Sequence, residues 1–301
     1  MSSVPIQQLC VTRRAPAKIN LALAVGPRDE TTGLHPICSW FAAIDLVDEL
    51  TVTRLESDRL SRYAILWHEE ALVTTPIDWS ITKDLAVRAH RRLEEETMQS
   101  LPVQLKLQKR IPVGGGLGGG SSDAAAMLLA TRELFELEVH NETLARIALE
   151  LGSDVPFFLH GSSAIVEGIG DEVHEATAPG GAIVLIVPEV TCSTADVYRE
   201  FDCLPTPALD AQRIIELTQR KSIDPEALFN DLSQPALRVA PELAEIRKLA
   251  ATISGECVHI TGSGSAMFIL CPGGMAQAQP IADRLSGQLG GCSITAHRFI
   301  D

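Results

Sequence analysis

Apolar and polar residues alternate from Val103 to Gln108, with Val103, Leu105 and Leu107 set against Gln104, Lys106 and Gln108. A period of two puts each set on its own face of a strand. Apolar-rich stretches predict further strands at residues 18–25, 40–45, 49–54 and 62–67, with a polar loop holding Gly33 at 27–36. Leu85, Ala89 and Leu93 recur at a spacing of four, which predicts a helix over 83–96. An Ala-rich stretch predicts a helix from Ser121, and Asn141 is placed to cap another that runs to Leu151. Residues 182–187 are continuously apolar, as a strand buried on both faces is. Beyond them the pattern predicts strands alternating with helices. Pro280 opens a helix carrying Ile281, Leu285 and Leu289, and residues 293–299 form a last strand. Ala178-Pro-Gly-Gly181 breaks the pattern and predicts a junction between a domain at 1–178 and another at 179–301. Together these elements describe an α+β protein.

Between the strand that ends near Arg110 and the helix that follows, six of the seven residues from Gly114 to Gly120 are glycine. Without side chains, backbone N–H groups there can approach a ligand closely, and the N-terminus of the helix favours an anion. Phosphate is the anion this arrangement suits. No Lys lies between Gly114 and Asp123, so a Walker A loop is a poor match. Gly114, Gly116 and Gly119 satisfy G-x-G-x-x-G, but a run of glycines satisfies almost any spacing. Glu136 and Glu138 lie in or just after the helix and not at the end of a following strand, so ribose recognition by a dinucleotide fold has no support.

A length of 301 residues suits two domains or one large one. The net charge of −14 argues against nucleic acid and anionic membranes as partners, so an anionic nucleotide has to be met by local groups. Seven cysteines at irregular spacing include no C-x-x-C pair, which fits reduced thiols and a cytoplasmic location. No apolar run is long enough to span a membrane, and residues 1–14 show no signal-peptide core.

Residues 112–122 read Pro-Val-Gly-Gly-Gly-Leu-Gly-Gly-Gly-Ser-Ser. They resemble the phosphate loop, Pro-x-x-x-Gly-Leu-Gly-x-x-Ser-Ser, of the galactokinase–homoserine kinase–mevalonate kinase–phosphomevalonate kinase (GHMP kinase) superfamily. Ala15-Pro-Ala-Lys-Ile-Asn-Leu21 resembles its first motif and Thr261-Gly-Ser-Gly-Ser-Ala-Met-Phe268 its third, in the same order along the chain. The extended glycine run, Leu151-Gly-Ser-Asp-Val-Pro-Phe157, Glu167-Gly-Ile-Gly170 and Gly33-Leu-His35 are similar to the branch that phosphorylates a cytidyl diphosphate alcohol on the non-mevalonate route to isoprenoid precursors.

The resemblance implies a two-domain fold with the active site between the domains. The N-terminal domain would resemble domain 2 of ribosomal protein S5, and the C-terminal one would be ferredoxin-like. It implies ATP as donor, with Mg²⁺ arriving on its phosphates and no dedicated metal site. Lys109, Pro112 and Val113 would flank adenine, and Gly114, Gly115, Gly116, Leu117, Gly118, Gly119 and Gly120 would cradle the phosphates. Ser121 and Ser122 have two roles open to them: capping the helix, or touching phosphate and metal. Asp84 and Asp123 stand where relatives often carry Asn.

A carboxylate at Asp154 would be an N-cap on sequence alone; by resemblance it is the catalytic base. Lys18, on a strand of apolar neighbours, needs a partner, since an unpaired buried charge is costly. The resemblance supplies Asp154. Asn20 lies on the same face as Lys18 and would bind substrate. His35 would contact cytosine, with Leu34 in place of the usual stacking aromatic. Thr194 and Tyr198 would cover the base from the other side, and residues 261–265 would form a second backbone-lined loop. Two other readings stay open: a kinase for a small alcohol such as homoserine or mevalonate, and a catalytically dead nucleotide-binding regulator. Retention of both Lys18 and Asp154 argues against the regulator. A monomer or weak homodimer acting on small molecules is expected.

Overall fold

A computed structural model describes residues 9–74, 76, 77, 79–205, 208–220 and 222–300. Residues 1–8, part of the stretch without a signal-peptide core, lie outside it. The first half of the chain folds as β1 (Cys10–Val25), β2 (Ile37–Arg54), β3 (Arg62–Trp67), α1 (Leu85–Thr97), β4 (Val103–Lys109), α2 (Gly119–Leu134), α3 (Asn141–Leu151), α4 (Phe157–His160), β5 (Ser163–Gly168) and β6 (Glu172–Glu175). The second half runs β7 (Ala182–Pro188), α5 (Thr194–Phe201), α6 (Ala211–Thr218), α7 (Ser233–Val239), α8 (Glu242–Ser254), β8 (His259–Ile260), β9 (Met267–Cys271), α9 (Met275–Ser286) and β10 (Cys292–Arg298).

The first sheet has the order β3-β4-β2-β5-β6, with β1 paired to β2. Only β3 and β4 run parallel. The strands expected at 40–45 and 49–54 are one strand. The polar residue that interrupts the apolar pattern, Asp48, is fully buried and accepts the backbone N–H groups of Arg110 and Ile111. Its charge is therefore satisfied inside the sheet and does not end the strand. Pro16 interrupts β1 at a register shift against β2, where a missing N–H is tolerated.

The second sheet is antiparallel, ordered β10-β7-β9-β8. Period-2 geometry divides β7 between two cores. Ala182, Val184 and Ile186 face helices α5 and α7 to α9. Ile183, Leu185 and Val187 join Phe268 and Leu270 against Ile19, Leu21, Trp40 and Ile44 of the first sheet. The two sheets thus share a buried layer. In the first half, Val103, Leu105 and Leu107 pack under α1 and α2.

The C-terminal part departs from the expected alternation, because four helices, α5 to α8, follow one another between β7 and β8. Pro280 lies inside α9, not at its start; the helix opens after Gly274 and buries Ala278, Ile281, Ala282 and Leu285. Asn141 is the first residue of α3, not its cap. His140 holds the cap position, and the Asn141 side chain accepts Arg132 Nη1 at 2.9 Å.

Candidate functional site

Lys18 projects from β1 into a buried polar cluster. Its Nζ lies 2.8 Å from Asn20 Oδ1, 3.3 Å from Asp154 Oδ2 and 4.5 Å from the centroid of the Phe41 ring. Asn20 is fixed in turn, as Nδ2 donates to Ser39 Oγ at 2.9 Å and its backbone N–H to Thr261 Oγ1 at 2.8 Å. The Lys18 side chain is 4% exposed and that of Asp154 30%, so the carboxylate is the more accessible of the two.

Asp154 caps no helix. It lies in a turn after α3, and Pro156 holds the N-cap position of α4. Gly170 explains part of the Glu-Gly-Ile-Gly motif. A Cβ there would stand 2.3 Å from the carbonyl oxygen of Ser153, and its φ is +103°. Only glycine lets that loop lie against the turn carrying Asp154.

The glycine run links β4 to α2, as its pattern predicts, but the helix starts at Gly119 with Gly118 in the left-handed cap position, φ +69°. The expected serine cap is therefore absent. Ser121 and Ser122 lie in the first turn; Ser121 lines the loop cavity, and the Ser122 hydroxyl is buried without a hydrogen-bond partner among the described residues. That cavity, of about 540 Å³, is lined by Lys109, Pro112, Val113, every residue from Gly114 to Ser121, Asp84, Asp123, Trp79 and Thr194. The backbone N–H of Lys18 donates to Leu117 O at 2.9 Å and that of Ala266 to Gly115 O at 3.3 Å, so the loop is tied to both other motifs. Asp84 caps α1 through the N–H groups of Ala86 and Val87 and also accepts Trp79 Nε1 at 3.3 Å.

A second cavity, also about 540 Å³, contains Leu34, His35, Ser153, Thr194, Tyr198 and Asp202 among its lining. Thr194 borders both cavities, and its Oγ1 lies 2.8 Å from Ser263 Oγ in the 261–265 loop. His35 and Tyr198, far apart in sequence, stand with ring centroids 5.3 Å apart. Leu34 is 50% exposed at the cavity wall. Burial pushes the Tyr198 hydroxyl up to about 12, and the Asp154 charge adds to the rise, so Tyr198 is a proton donor at neutral pH and no base.

The chain's segment 84–162 matches the family model described as GHMP kinases N terminal domain. A protein of Nitrosomonas europaea named 4-diphosphocytidyl-2-C-methyl-D-erythritol kinase is 36% identical over 285 residues, covering 92% of this chain and 93% of its own. One of the same name from Polynucleobacter asymbioticus is 33% identical over 274 residues, covering 89% and 85%. A crystal structure of 4-(cytidine 5'-diphospho)-2C-methyl-D-erythritol kinase superposes with a TM-score of 0.77 at 34% identity, covering 97% of this chain and 100% of that one. The chain belongs to the 4-diphosphocytidyl-2-C-methyl-D-erythritol kinase family. It is an ATP-dependent phosphotransferase with the α+β GHMP kinase fold.

Below the loop cavity the kinase carries a buried charge cluster that its sequence does not announce. Lys109 Nζ lies 2.6 Å from Asp48 Oδ2 and 2.6 Å from Asp123 Oδ2, so its ammonium is committed to carboxylates. Burial acts to lower the Lys109 pKa, but Asp123 and Asp48 outweigh it and hold the group above its ordinary value. Burial likewise pushes the Asp123 carboxyl up to about 8, with Lys109 pulling against it and Asp48 adding to the rise. These tendencies oppose each other, since a raised Lys109 calls for charged neighbours and a raised Asp123 for a neutral one. One ammonium balances only one of two buried carboxylates. Asp48 also accepts two backbone N–H groups, whereas Asp123 Oδ1 has no partner among the described residues, so the proton goes to Asp123.

A stability prediction follows from that proton. Above pH about 4 an unfolded Asp has released it, while the native kinase keeps it up to about pH 8. Raising the pH through this window therefore favours unfolding. Asp123→Asn removes the effect, and the Tm of the variant relative to wild type is expected to climb by several degrees between about pH 5 and pH 9. Thermal denaturation across pH measures it; a pH-independent difference would show Asp123 ionised throughout.

Several residues of the site carry no sequence signal. Trp79, Ser39 and Asp202 stand in no motif, and Phe41 reads as ordinary strand core. Among the described residues no group of three His, Cys, Asp or Glu side chains is placed to hold a metal, and no helix is long and apolar enough to cross a membrane.

Proposed function

We propose that the kinase transfers the γ-phosphoryl group of ATP to the 2-hydroxyl of 4-diphosphocytidyl-2-C-methyl-D-erythritol in the non-mevalonate pathway. One observation carries the reading: the Lys18–Asp154 pair adjoins both cavities, because Lys18 N donates to Leu117 O of the glycine loop and Asp154 follows Ser153 in the wall of the His35–Tyr198 cavity. Gly114 to Gly120 would hold the β- and γ-phosphates, with Ser121 beside them. Lys109 would shape the nucleotide pocket through its chain, its ammonium being held by Asp48 and Asp123. Mg²⁺ would arrive on the phosphates and neutralise part of their charge.

Asp154 takes the proton of the attacking hydroxyl. Lys18 orients Asp154 and places positive charge beside the transferring group. Asn20 holds Lys18 in position and presents the remainder of its amide to the acceptor. In this reading residues 1–178 form the ATP-binding domain and 179–301 the second, and the protein works in the cytoplasm as a monomer or weak homodimer.

The test is a coupled ATPase assay with the cytidyl alcohol, homoserine and mevalonate, with and without Mg²⁺. The cytidyl alcohol should be the substrate, and excess chelator should abolish turnover. Turnover of homoserine or mevalonate alone would give the acceptor site to a small alcohol, a reading that the exposed Leu34 favours. Tyr198→Ala should raise the KM for the cytidyl alcohol by about 10–100-fold, since base–aromatic stacking is worth ~1–3 kcal/mol. Its ATP affinity should stay close to wild type. Leu34→Tyr should lower the same KM by adding a second stacking face. An unchanged KM in both variants would remove the base from this cavity.

A further inference from the structure

We propose that Asn230 is a positioning residue for phosphoryl transfer: its side-chain amide clamps the 261–265 loop and, through Thr261 and Asn20, sets where the Lys18 ammonium stands. This rests on reading Lys18 and Asp154 as the reacting pair.

Asn230 lies just before α7, where its Oδ1 accepts the backbone N–H of Leu232 at 2.9 Å. Its Nδ2 donates to Ile260 O and to Gly262 O, each at 2.8 Å. The amide fits only this way round, since reversing it would set its oxygen against two carbonyl oxygens. The two carbonyls flank Thr261, so one side chain fixes the backbone on either side of that residue. Asp offers no donor for them, and Ser offers a single one.

Thr261 passes the constraint on. Its Oγ1 accepts the backbone N–H of Asn20 at 2.8 Å and donates to Asn20 Oδ1 at 3.3 Å. The same Oδ1 accepts from Lys18 Nζ at 2.8 Å. A shift of Thr261 therefore moves the group that orients the ammonium. The loop has little room to shift without effect. A Cβ on Gly262 would stand 3.3 Å from Asn20 Oδ1 and 3.8 Å from Lys18 Nζ, and one on Gly116 would stand 2.8 Å from Thr261 O. The 261–265 loop thus touches the glycine loop and Lys18 at once.

The backbone around Asn230 is tied to the strand that carries Lys18 and Asn20. Leu23 of β1 donates its N–H to Phe229 O at 3.0 Å and accepts the Asp231 N–H at 3.0 Å. The Val25 N–H donates to Asp231 Oδ2, also at 3.0 Å. Asn230 is therefore registered on β1 while its side chain grips the loop that meets Lys18, and it acts as a strut between the two.

The experiment measures kcat, the KM of the cytidyl alcohol and the Kd of ATP for Asn230→Asp and Asn230→Ser, each made in wild type and in Lys18→Met. Turnover is normalised to ATP-binding sites counted by calorimetry, so unfolded protein does not enter kcat. Asn230→Asp keeps the shape and the acceptor for Leu232 but turns an oxygen toward both carbonyls. Asn230→Ser keeps an acceptor for Leu232 without that repulsion, so it reads the role even if Asn230→Asp does not fold. Both should lower kcat by about 10–100-fold, the cost of a small misplacement at the reacting centre, with KM and Kd close to wild type. In Lys18→Met the same substitutions should cost less than about 2-fold, because the group they position is gone. An equal fractional loss in both backgrounds, or a parallel loss of ATP affinity, would make Asn230 a general support of the fold and overturn the positioning role. Unimpaired Asn230 variants beside a damaged Lys18→Met overturn the proposal alone. A Lys18→Met that turns over like wild type overturns the reading of the reacting pair and the proposal with it.

Discussion

Asp154→Asn is expected to lower kcat by about 10²–10⁴ while leaving the Kd for ATP nearly unchanged, the range typical of a positioned general base. Asp154 is the carboxylate paired with buried Lys18, and with its side chain 30% exposed it can meet a hydroxyl entering from the acceptor cavity. Tyr198 cannot replace it, since burial holds that hydroxyl protonated up to about pH 12. Asn has nearly the same shape, so the turn against Gly170 and the glycine loop should stay in place. Steady-state kinetics with calorimetric titration of ATP would separate the two quantities. Turnover close to wild type would leave the reaction to alignment and to Lys18 alone, and a parallel loss of ATP affinity would point to a disturbed loop.

Lys18→Met should cost about 10²–10³ in kcat, comparable to removing one preorganised electrostatic contact to a transition state. Stability should change little. The Met chain can fill the space of the Lys stem beside Phe41, and removing the ammonium also removes the cost of burying it. Asp154 keeps access to water, so it is not stranded as a buried charge. Asn20 Oδ1 still accepts from Thr261 Oγ1 at 3.3 Å. If Lys18 acts through Asp154, the double variant Lys18→Met/Asp154→Asn should be little worse than the poorer single, because residues that work as a unit are not additive. Multiplicative losses would mean that the two side chains act independently. A Tm drop beyond about 10 °C in Lys18→Met would make the lysine chiefly structural.

Much of the site was legible because it lies in contiguous motifs. The glycine run stands between a strand and a helix as its pattern predicts, and a lysine on an apolar strand announced a buried partner. Tertiary contacts altered several local readings. Asp48 falls between the strands expected at 40–45 and 49–54, yet lies in one long strand as an acceptor for two backbone N–H groups. Serine was the better cap by propensity, but Gly118 takes the position. A Cβ on Gly118 would stand 3.0 Å from both Lys18 Cγ and the Phe158 ring, so packing overrode propensity.

The amino-acid order by itself determined the α+β class, the strand–glycine–helix unit and the chemical character of each motif, because these depend on neighbours within a few residues. It could not decide which groups meet. The pairing of Lys18 with Asp154, the tilted contact of the His35 and Tyr198 rings, the sharing of Lys109 by two carboxylates and the placement of Asp202 beside His35 each join residues from separate elements. Such contacts are set by strand register and by the buried layer between the two sheets, which no local pattern encodes.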